Sequence, residues 1–204
     1  MKLNLGCGSE TPVDWINVDY SIGARLFKIP GFSILNRKFR FFNLQWDKRI
    51  VLHDLRQKFP WPDESVDIVY SSHTLEHFTR LEGVHFLREA YRVLKLGGIL
   101  RIVVPDLSVL VSKYINGETR ADYFLESLLV LYGNKNSALI NILAPFVQFP
   151  HKCMYDANAL LIILGSIGFI AEKKEYLESN IGDINNIELK SRTVDAVIIE
   201  GKKI

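Results

Sequence analysis

Residues 66–106 read VDIVYSSHTLEHFTRLEGVHFLREAYRVLKLGGILRIVVPD, and this stretch decides the fold class. Val66–Tyr70 is a short apolar run bounded by Pro62 and by Ser71-Ser72. Ile99–Val104 is another, with Gly97-Gly98 before it and Pro105 after it. Between the two runs, Val84, Leu87, Tyr91 and Leu94 recur at the spacing of one helical face, while Arg88, Glu89, Arg92 and Lys95 face away. Thr79 followed by Glu82 fits a capping box, in which hydroxyl and carboxylate satisfy free backbone N–H groups. The pattern predicts a helix over Thr79–Lys95, ended at Gly97-Gly98 because glycine takes the left-handed cap conformation cheaply.

The same alternation extends outward. Lys2–Leu5, Trp15–Asp19 and Ile50–Asp54 are strand candidates before this block, and Phe169–Tyr176 and Val194–Glu200 follow it. Several are continuous aliphatic runs, which suits strands covered on both faces in a parallel sheet. Asp156 is placed to cap a helix reaching about Ile167, and segments 107–116 and 122–132 also read as helical. Strands alternating with helices argue an open α/β sheet, whose ligands bind beyond the carboxyl ends of the strands. Gly6-Cys7-Gly8, Asp19, Asp54, Ser71-Ser72-His73 and Asp106 all fall at such ends.

Composition narrows the classes. A chain of 204 residues suits one domain over 1–204, since single cores grow to about 250 residues. Its 48% hydrophobic content supplies a core and excludes global disorder, and a net charge of +2 gives no reason to expect a nucleic-acid partner. The opening MKLNLGCG has no apolar signal region, so Cys7 and Cys153 read as reduced thiols of a cytoplasmic protein. The two cysteines make no metal-ligand spacing with a nearby histidine pair, and no metal is expected. The apolar stretch Ala157–Ala171 is broken by Asn158, Gly165, Ser166 and Gly168, short of the roughly 20 residues a spanning helix needs.

The first turn, LNLGCGSE, has glycines at 6 and 8 that let backbone pass close to a ligand. It is equally the form of a tight turn after a strand. It is not a G-x-G-x-x-G fingerprint, because Thr11 holds the third glycine's place. Asp19 at the end of the second strand can accept from two ribose hydroxyls, or simply form a turn before Tyr20-Ser21. Asp54 in HDLR can accept from an adenine amino group while Leu55 offers its N–H, or it can pair with Arg56.

A glycine turn, an acid ending strand two and an acid ending strand three, in that order, resemble the class I S-adenosylmethionine-dependent methyltransferases, and within them the type 11 methyltransferase domain. The stretches LNLGCG, INVD, HDLR, FPWPDESVDIVYSSHTLEHF, REAYRVLKLGGILRIVVPDL and HKCMYDANALLIILGSIGF carry the resemblance, which covers 3–19, 53–107 and 151–169. It implies a Rossmann-like, doubly wound, mostly parallel seven-stranded sheet with helices on both faces, Val194–Glu200 being the antiparallel seventh strand inserted into it. It implies S-adenosylmethionine as cofactor and S-adenosylhomocysteine as product. Asn4, Gly6, Cys7 and Gly8 would line the methionine part, Asp19 would hold the ribose with Tyr20 beside the adenine, Asp54 and Leu55 would frame the adenine, and Ser72 and His73 would lie under the cofactor. The chain departs from the family at Asn4, where Asp or Glu is frequent. It departs again in its first connection, where the ten residues Gly6 to Trp15 leave space for a very short helix or none. Sugar-pathway members of the family are similarly short there.

Methyl transfer from a sulfonium is largely a matter of alignment, and a base is needed only for a hydroxyl or protonated acceptor. His73, His77 and His151 are the catalytic candidates, with Asp106 beside them; His77 reads equally as a residue orienting the helix that follows, and His73 as a cofactor contact. Two segments are expected on the substrate side, 21–49 and 107–150. The first interleaves Arg25, Lys28, Arg37, Lys38, Arg40, Lys48 and Arg49 with Phe27, Phe32, Phe39, Phe41, Phe42 and Trp46. It reads as a sheet cover with solvated charges, or as a surface for a membrane or an anionic, lipid-linked substrate. Within the second, the apolar 138–150 reads as a lid, pocket wall or dimer contact. The expected function is methyl transfer to a small-molecule or glycan acceptor, as in polysaccharide biosynthesis. The rivals are a scaffold that keeps the fold without the reaction, and a nicotinamide-dependent oxidoreductase, which the missing glycine and phosphate-cradling helix oppose.

Overall fold

The computed structural model describes residues 1–39, 45–130 and 149–204. Seven strands form one sheet: β1 (Lys2–Leu5), β2 (Ile16–Asp19), β3 (Val51–Leu52), β4 (Val66–Ser72), β5 (Leu94–Pro105), β6 (Phe169–Lys174) and β7 (Ala196–Lys203). Their order is β3-β2-β1-β4-β5-β7-β6. The first five run parallel, and β7 is antiparallel to both β5 and β6. The sequence grows outward from β1 on one side and from β4 on the other, so the switch in strand order lies between them. The described helices are α1 (Ile22–Phe27), α2 (Phe32–Phe39), α3 (Arg80–Val93), α4 (Leu107–Ile115), α5 (Ala121–Ser127), α6 (Ala157–Ile167) and α7 (Lys190–Thr193). This is the Rossmann-like doubly wound sheet expected from the sequence, antiparallel strand included.

The two faces are covered differently. Leu100, Ile102 and Val104 of β5 meet Phe86, Leu87, Ala90, Leu160 and Leu164 of α3 and α6 in the larger core. Ile99 and Val103 belong to a smaller layer with Trp15, Tyr70, Ile181, Ile184, Ile187 and Ile198. The connection Gly6–Trp15 holds no helix. Trp15, edge-on to Tyr70 at 6.2 Å between ring centroids, forms part of that smaller layer instead. Arg101 of β5 is fully buried on this side. Its Nε and one terminal nitrogen donate to Glu188 at 2.8 and 2.9 Å, and the remaining N–H groups go to Glu200 and to the Glu175 and Glu178 carbonyls. All five donors are thereby used, which is what a buried guanidinium requires.

Thr79 caps α3 as expected: its hydroxyl accepts from the Glu82 N–H at 3.4 Å, and the Glu82 carboxylate accepts from the Thr79 N–H at 2.8 Å. The end of that helix differs from the expectation. It stops at Val93, and Leu94 is already extended and paired with Val66, so β5 begins four residues before Gly98. Burying Leu94 beside Val66 in the sheet ends the helix. Gly97, with φ of +77°, then bends the long strand in the stretch where its register against β4 shifts. The third strand is also shorter than expected. Asp54 lies past its end, because its carboxylate accepts from the Arg56 N–H and its carbonyl from the Gln57 N–H, which turns the chain. Most of 138–150 lies outside the described residues. Among the described residues no helix is long and apolar enough to cross a membrane.

Candidate active site

The carboxyl ends of β1, β2 and β4 open onto a cleft of about 500 Å³. That volume suits a cofactor-sized ligand. Of the residues expected to bind a cofactor, Gly6, Gly8, Asp19, Tyr20, Asp54, Leu55 and His73 line it. Gly6 has φ of +76°, and a side chain on it would collide with Thr74, whose Oγ1 stands 1.9 Å from where the Cβ would be. Gly8 has φ of +56° with open space at that point, so its backbone faces the cleft bare.

The Asp19 carboxylate is buried and fixed by two backbone donors: Gly8 N–H at 2.8 Å and Ser21 N–H at 2.6 Å. One bond to each oxygen orients the group and leaves lone pairs toward the cleft. Of the two readings of Asp54, the structure shows the pairing with Arg56. It lines the cleft, and it is gripped by Arg56 through Nε and a terminal nitrogen at 2.8 and 2.7 Å. That ion pair holds its pKa below the usual carboxylate range. Tyr20 is exposed, with the Arg25 guanidinium 5.1 Å from its ring.

Asn4, Cys7 and Ser72 sit elsewhere. They line a small recess of about 10 Å³ that shares Gly6 and Arg192 with the cleft. The Asn4 amide is committed to the Glu10 carbonyl and the Asn17 side chain, both at 2.9 Å, so it positions the loop after β1. Burial, together with the Asp19 charge, pushes the Cys7 thiol up to about 12.

The histidines divide by their surroundings. His73 holds a left-handed backbone conformation, φ +51°, on the cleft wall. Its Nε2 lies 2.8 Å from the Arg192 carbonyl and its Nδ1 3.2 Å from Glu76. Burial lowers its pKa, but the Glu76 carboxylate and the Arg192 carbonyl more than offset this and the pKa is raised. His77, on the 3-10 turn Leu75–His77, also lines the cleft; its Nδ1 lies 3.4 Å from the Pro150 carbonyl. His151 is buried behind it, with ring centroids 5.1 Å apart, and is not on the cleft wall. Burial lowers the His151 pKa. Asp106 is spent as the cap of α4, accepting from the Ser108 N–H and hydroxyl at 2.9 and 2.6 Å.

Residues not chosen from the sequence complete the cleft, among them Ser21, Arg56, Thr74, Phe78, Phe149, Pro150, Lys152 and Arg192. Arg192 comes from α7, more than 100 residues beyond the β4 end that it faces, and nothing local in its sequence signals that meeting. The segment around Lys152 is tied to the 3-10 turn by Lys152 and Cys153 N–H groups donating to the Glu76 carbonyl at 2.8 and 3.1 Å.

Residues 3–102 match the family model described as a methyltransferase domain. No curated protein matches the chain. Solved structures do. An S-adenosylmethionine-dependent methyltransferase from Thermotoga maritima, described as a possible histamine N-methyltransferase, is 18% identical, with a TM-score of 0.51 over 100% of this chain and 82% of that one. One from Archaeoglobus fulgidus is 20% identical, with a TM-score of 0.51 over 99% and 85%. One from Methanosarcina mazei is 15% identical, with a TM-score of 0.55 over 100% and 92%. At these identities the likeness is one of fold.

Proposed function

We propose, from a methyltransferase domain over residues 3–102 on the fold of S-adenosylmethionine-dependent methyltransferases, that this chain moves a methyl group to a small-molecule or glycan acceptor. A methyltransferase domain on this fold implies S-adenosylmethionine as cofactor. The residues present fit it. The observation that carries the reading is the Asp19 carboxylate, locked by two backbone N–H groups beside the bare backbone of Gly8 in a cleft of about 500 Å³.

In this reading Asp19 accepts from the ribose hydroxyls, Tyr20 flanks the adenine, and Asp54 with the Leu55 N–H frames its edge. Gly6 and Gly8 let the methionine part lie against backbone, and His73 supports it from the end of β4. Asn4, Cys7 and Ser72 act from the recess behind. The bound cofactor supplies an electrophilic methyl group on a sulfonium. The chain's own work is to hold the acceptor in line with that methyl group, which removes most of the entropic part of the barrier. An acceptor hydroxyl must also lose its proton. Both nitrogens of His73 are engaged and His151 is off the wall, so His77 is the group placed to act on it.

A sugar acceptor, and with it a role in polysaccharide biosynthesis, is favoured by the helix-free first connection, the feature shared with sugar-pathway members. The whole of 1–204 is read as one catalytic unit, with 21–49 and 107–150 on its substrate side. A peripheral membrane contact is supported by Ile34, Leu35 and Phe39, exposed on α2 beside Arg37 and Lys38, an arrangement an anionic interface rewards. Co-sedimentation with anionic vesicles checks it, and recovery only in the supernatant removes it. A cytoplasmic location agrees with the reduced cysteines.

Calorimetric titration with S-adenosylhomocysteine, and with NADH as control, tests the assignment. Micromolar affinity for the first alone is expected. Binding of NADH alone overturns the reading, and binding of neither favours a scaffold that has kept the fold.

A further inference from the structure

Behind the cleft wall, Glu76, His77 and His151 each offer one ligand atom, and the three atoms lie within 4.8 Å of one another. The three come from the 3-10 turn after β4 and from the loop before α6, and their spacing in the sequence gives no metal-binding pattern. Glu76 is 1% exposed; one carboxylate oxygen meets His73 Nδ1 at 3.2 Å and the other is buried without a hydrogen-bond partner. His151 is 7% exposed, and its Nδ1 is likewise buried without a partner. A buried carboxylate oxygen with no donor is costly, and a second unsatisfied atom beside it compounds the cost. His73 Nδ1, 3.2 Å from one Glu76 oxygen, is the neighbouring partial cation, and it leaves the other oxygen unanswered.

We propose that Glu76, His77 and His151 bind one divalent transition-metal cation of the zinc type at the edge of the cleft. Two imidazoles and one carboxylate are a donor set that zinc and its neighbours take, with a fourth position left open to solvent or substrate. His77 is on the cleft wall, so the open position faces the acceptor side. The Pro150 carbonyl, 3.4 Å from His77 Nδ1, is the outer partner that fixes the tautomer of a ligating imidazole. Ligand atoms around a tetrahedral zinc stand about 3.3 Å apart for bonds near 2.0 Å, so the trio, within 4.8 Å, has to draw closer to hold the ion.

With the ion in place His77 is a ligand, and an acceptor oxygen on the open position becomes more acidic through the cation's charge. This use of the ion rests on the methyltransferase reading; its binding does not.

Tag-free protein, stripped with a chelator, is titrated with Co²⁺ while its visible absorption is followed, then with Zn²⁺ in competition, and bound metal is counted by mass spectrometry. One equivalent per chain is expected, with cobalt bands displaced by zinc. Glu76→Gln and His151→Asn each weaken binding by at least about 100-fold, since each removes one of three ligands. Cys153→Ser, which alters the nearest thiol, leaves binding in place. No stoichiometric uptake by the folded wild-type protein overturns the proposal without recourse to any variant. Uptake unchanged in both ligand variants, or lost in Cys153→Ser, overturns it too. Titration of the same stripped and loaded samples with S-adenosylhomocysteine keeps the two readings apart: retained nucleoside binding with no metal uptake removes the ion and leaves the cofactor site standing.

Discussion

The cleft half around Asp19 and Asp54 rests on strand ends, whereas the half around His77 and Lys152 rests on a loop pinned to a 3-10 turn. In the first, β1 and β2 are in parallel register, Asn4 opposite Asn17, and the loops that follow them bond each other through Gly8 and Asp19. In the second, contact between segments 75 residues apart depends on the Lys152 and Cys153 N–H groups reaching the Glu76 carbonyl. The difference teaches a division of labour. On the methyltransferase reading, the sheet would hold the cofactor, and the acceptor would be met by loops that can vary without disturbing the sheet.

The largest effect that bears on this contrast concerns Cys7, which tests how closed the sheet-built half is. With its pKa pushed from 9.0 to about 12, the thiol carries about 1,000-fold less thiolate near neutral pH than an ordinary cysteine. Native protein is expected to alkylate at Cys7 about that much more slowly than the unfolded chain at the same pH, read by peptide mass spectrometry. Comparable rates in the two states would show the recess open to water and the contrast wrong.

Asp19→Ala comes next. It orphans the Gly8 and Ser21 N–H groups and, on the proposed reading, removes the acceptor for two ribose hydroxyls. Hydrogen bonds to a charged group contribute about 1.5–3 kcal/mol each, so affinity for S-adenosylhomocysteine should fall by at least about 100-fold in calorimetry. Asp54→Ala should cost less, about tenfold, because Arg56 already answers that charge. Equal losses would mean that the ribose and adenine ends are not held in the graded way the hydrogen bonds indicate.

The same contrast governs what could be read without the structure. The strand and helix segments, the capping box at Thr79 and Asp19 at a strand end follow from local pattern, because strand ends and caps are short-range events; the strand order and the antiparallel strand came only from the family resemblance. The bend at Gly97 was misread as a helix cap, since a glycine pair looks the same whether it ends a helix or turns a strand. Asn4 lies in β1 beside the glycine turn, but its amide is used by Glu10 and Asn17. The places of Arg192 and Lys152 and the cage of acceptors around Arg101 are not legible in the sequence, because each is made by chain segments that meet only in the folded state. Nothing in SHTLEH announces that His151 comes to rest beside Glu76.

The smallest effect on nucleoside affinity is expected at His77, and it is the sharpest test of the contrast. His77→Ala removes a ring from the cleft wall and, with it, the contacts to Phe149 and His151. None of the Asp19 or Asp54 bonds passes through that ring. Affinity for S-adenosylhomocysteine should therefore stay within about threefold of wild type, under about 0.7 kcal/mol. Methyl transfer to an acceptor hydroxyl should fall by about 100-fold or more, whether the ring acts as a base or as a ligand. The two mechanisms separate on added metal: a base is not replaced by Zn²⁺, while a site missing one of three ligands recovers part of its activity at high Zn²⁺. A loss of nucleoside affinity comparable to that of Asp19→Ala would place His77 in the cofactor half and erase the division between sheet and loop.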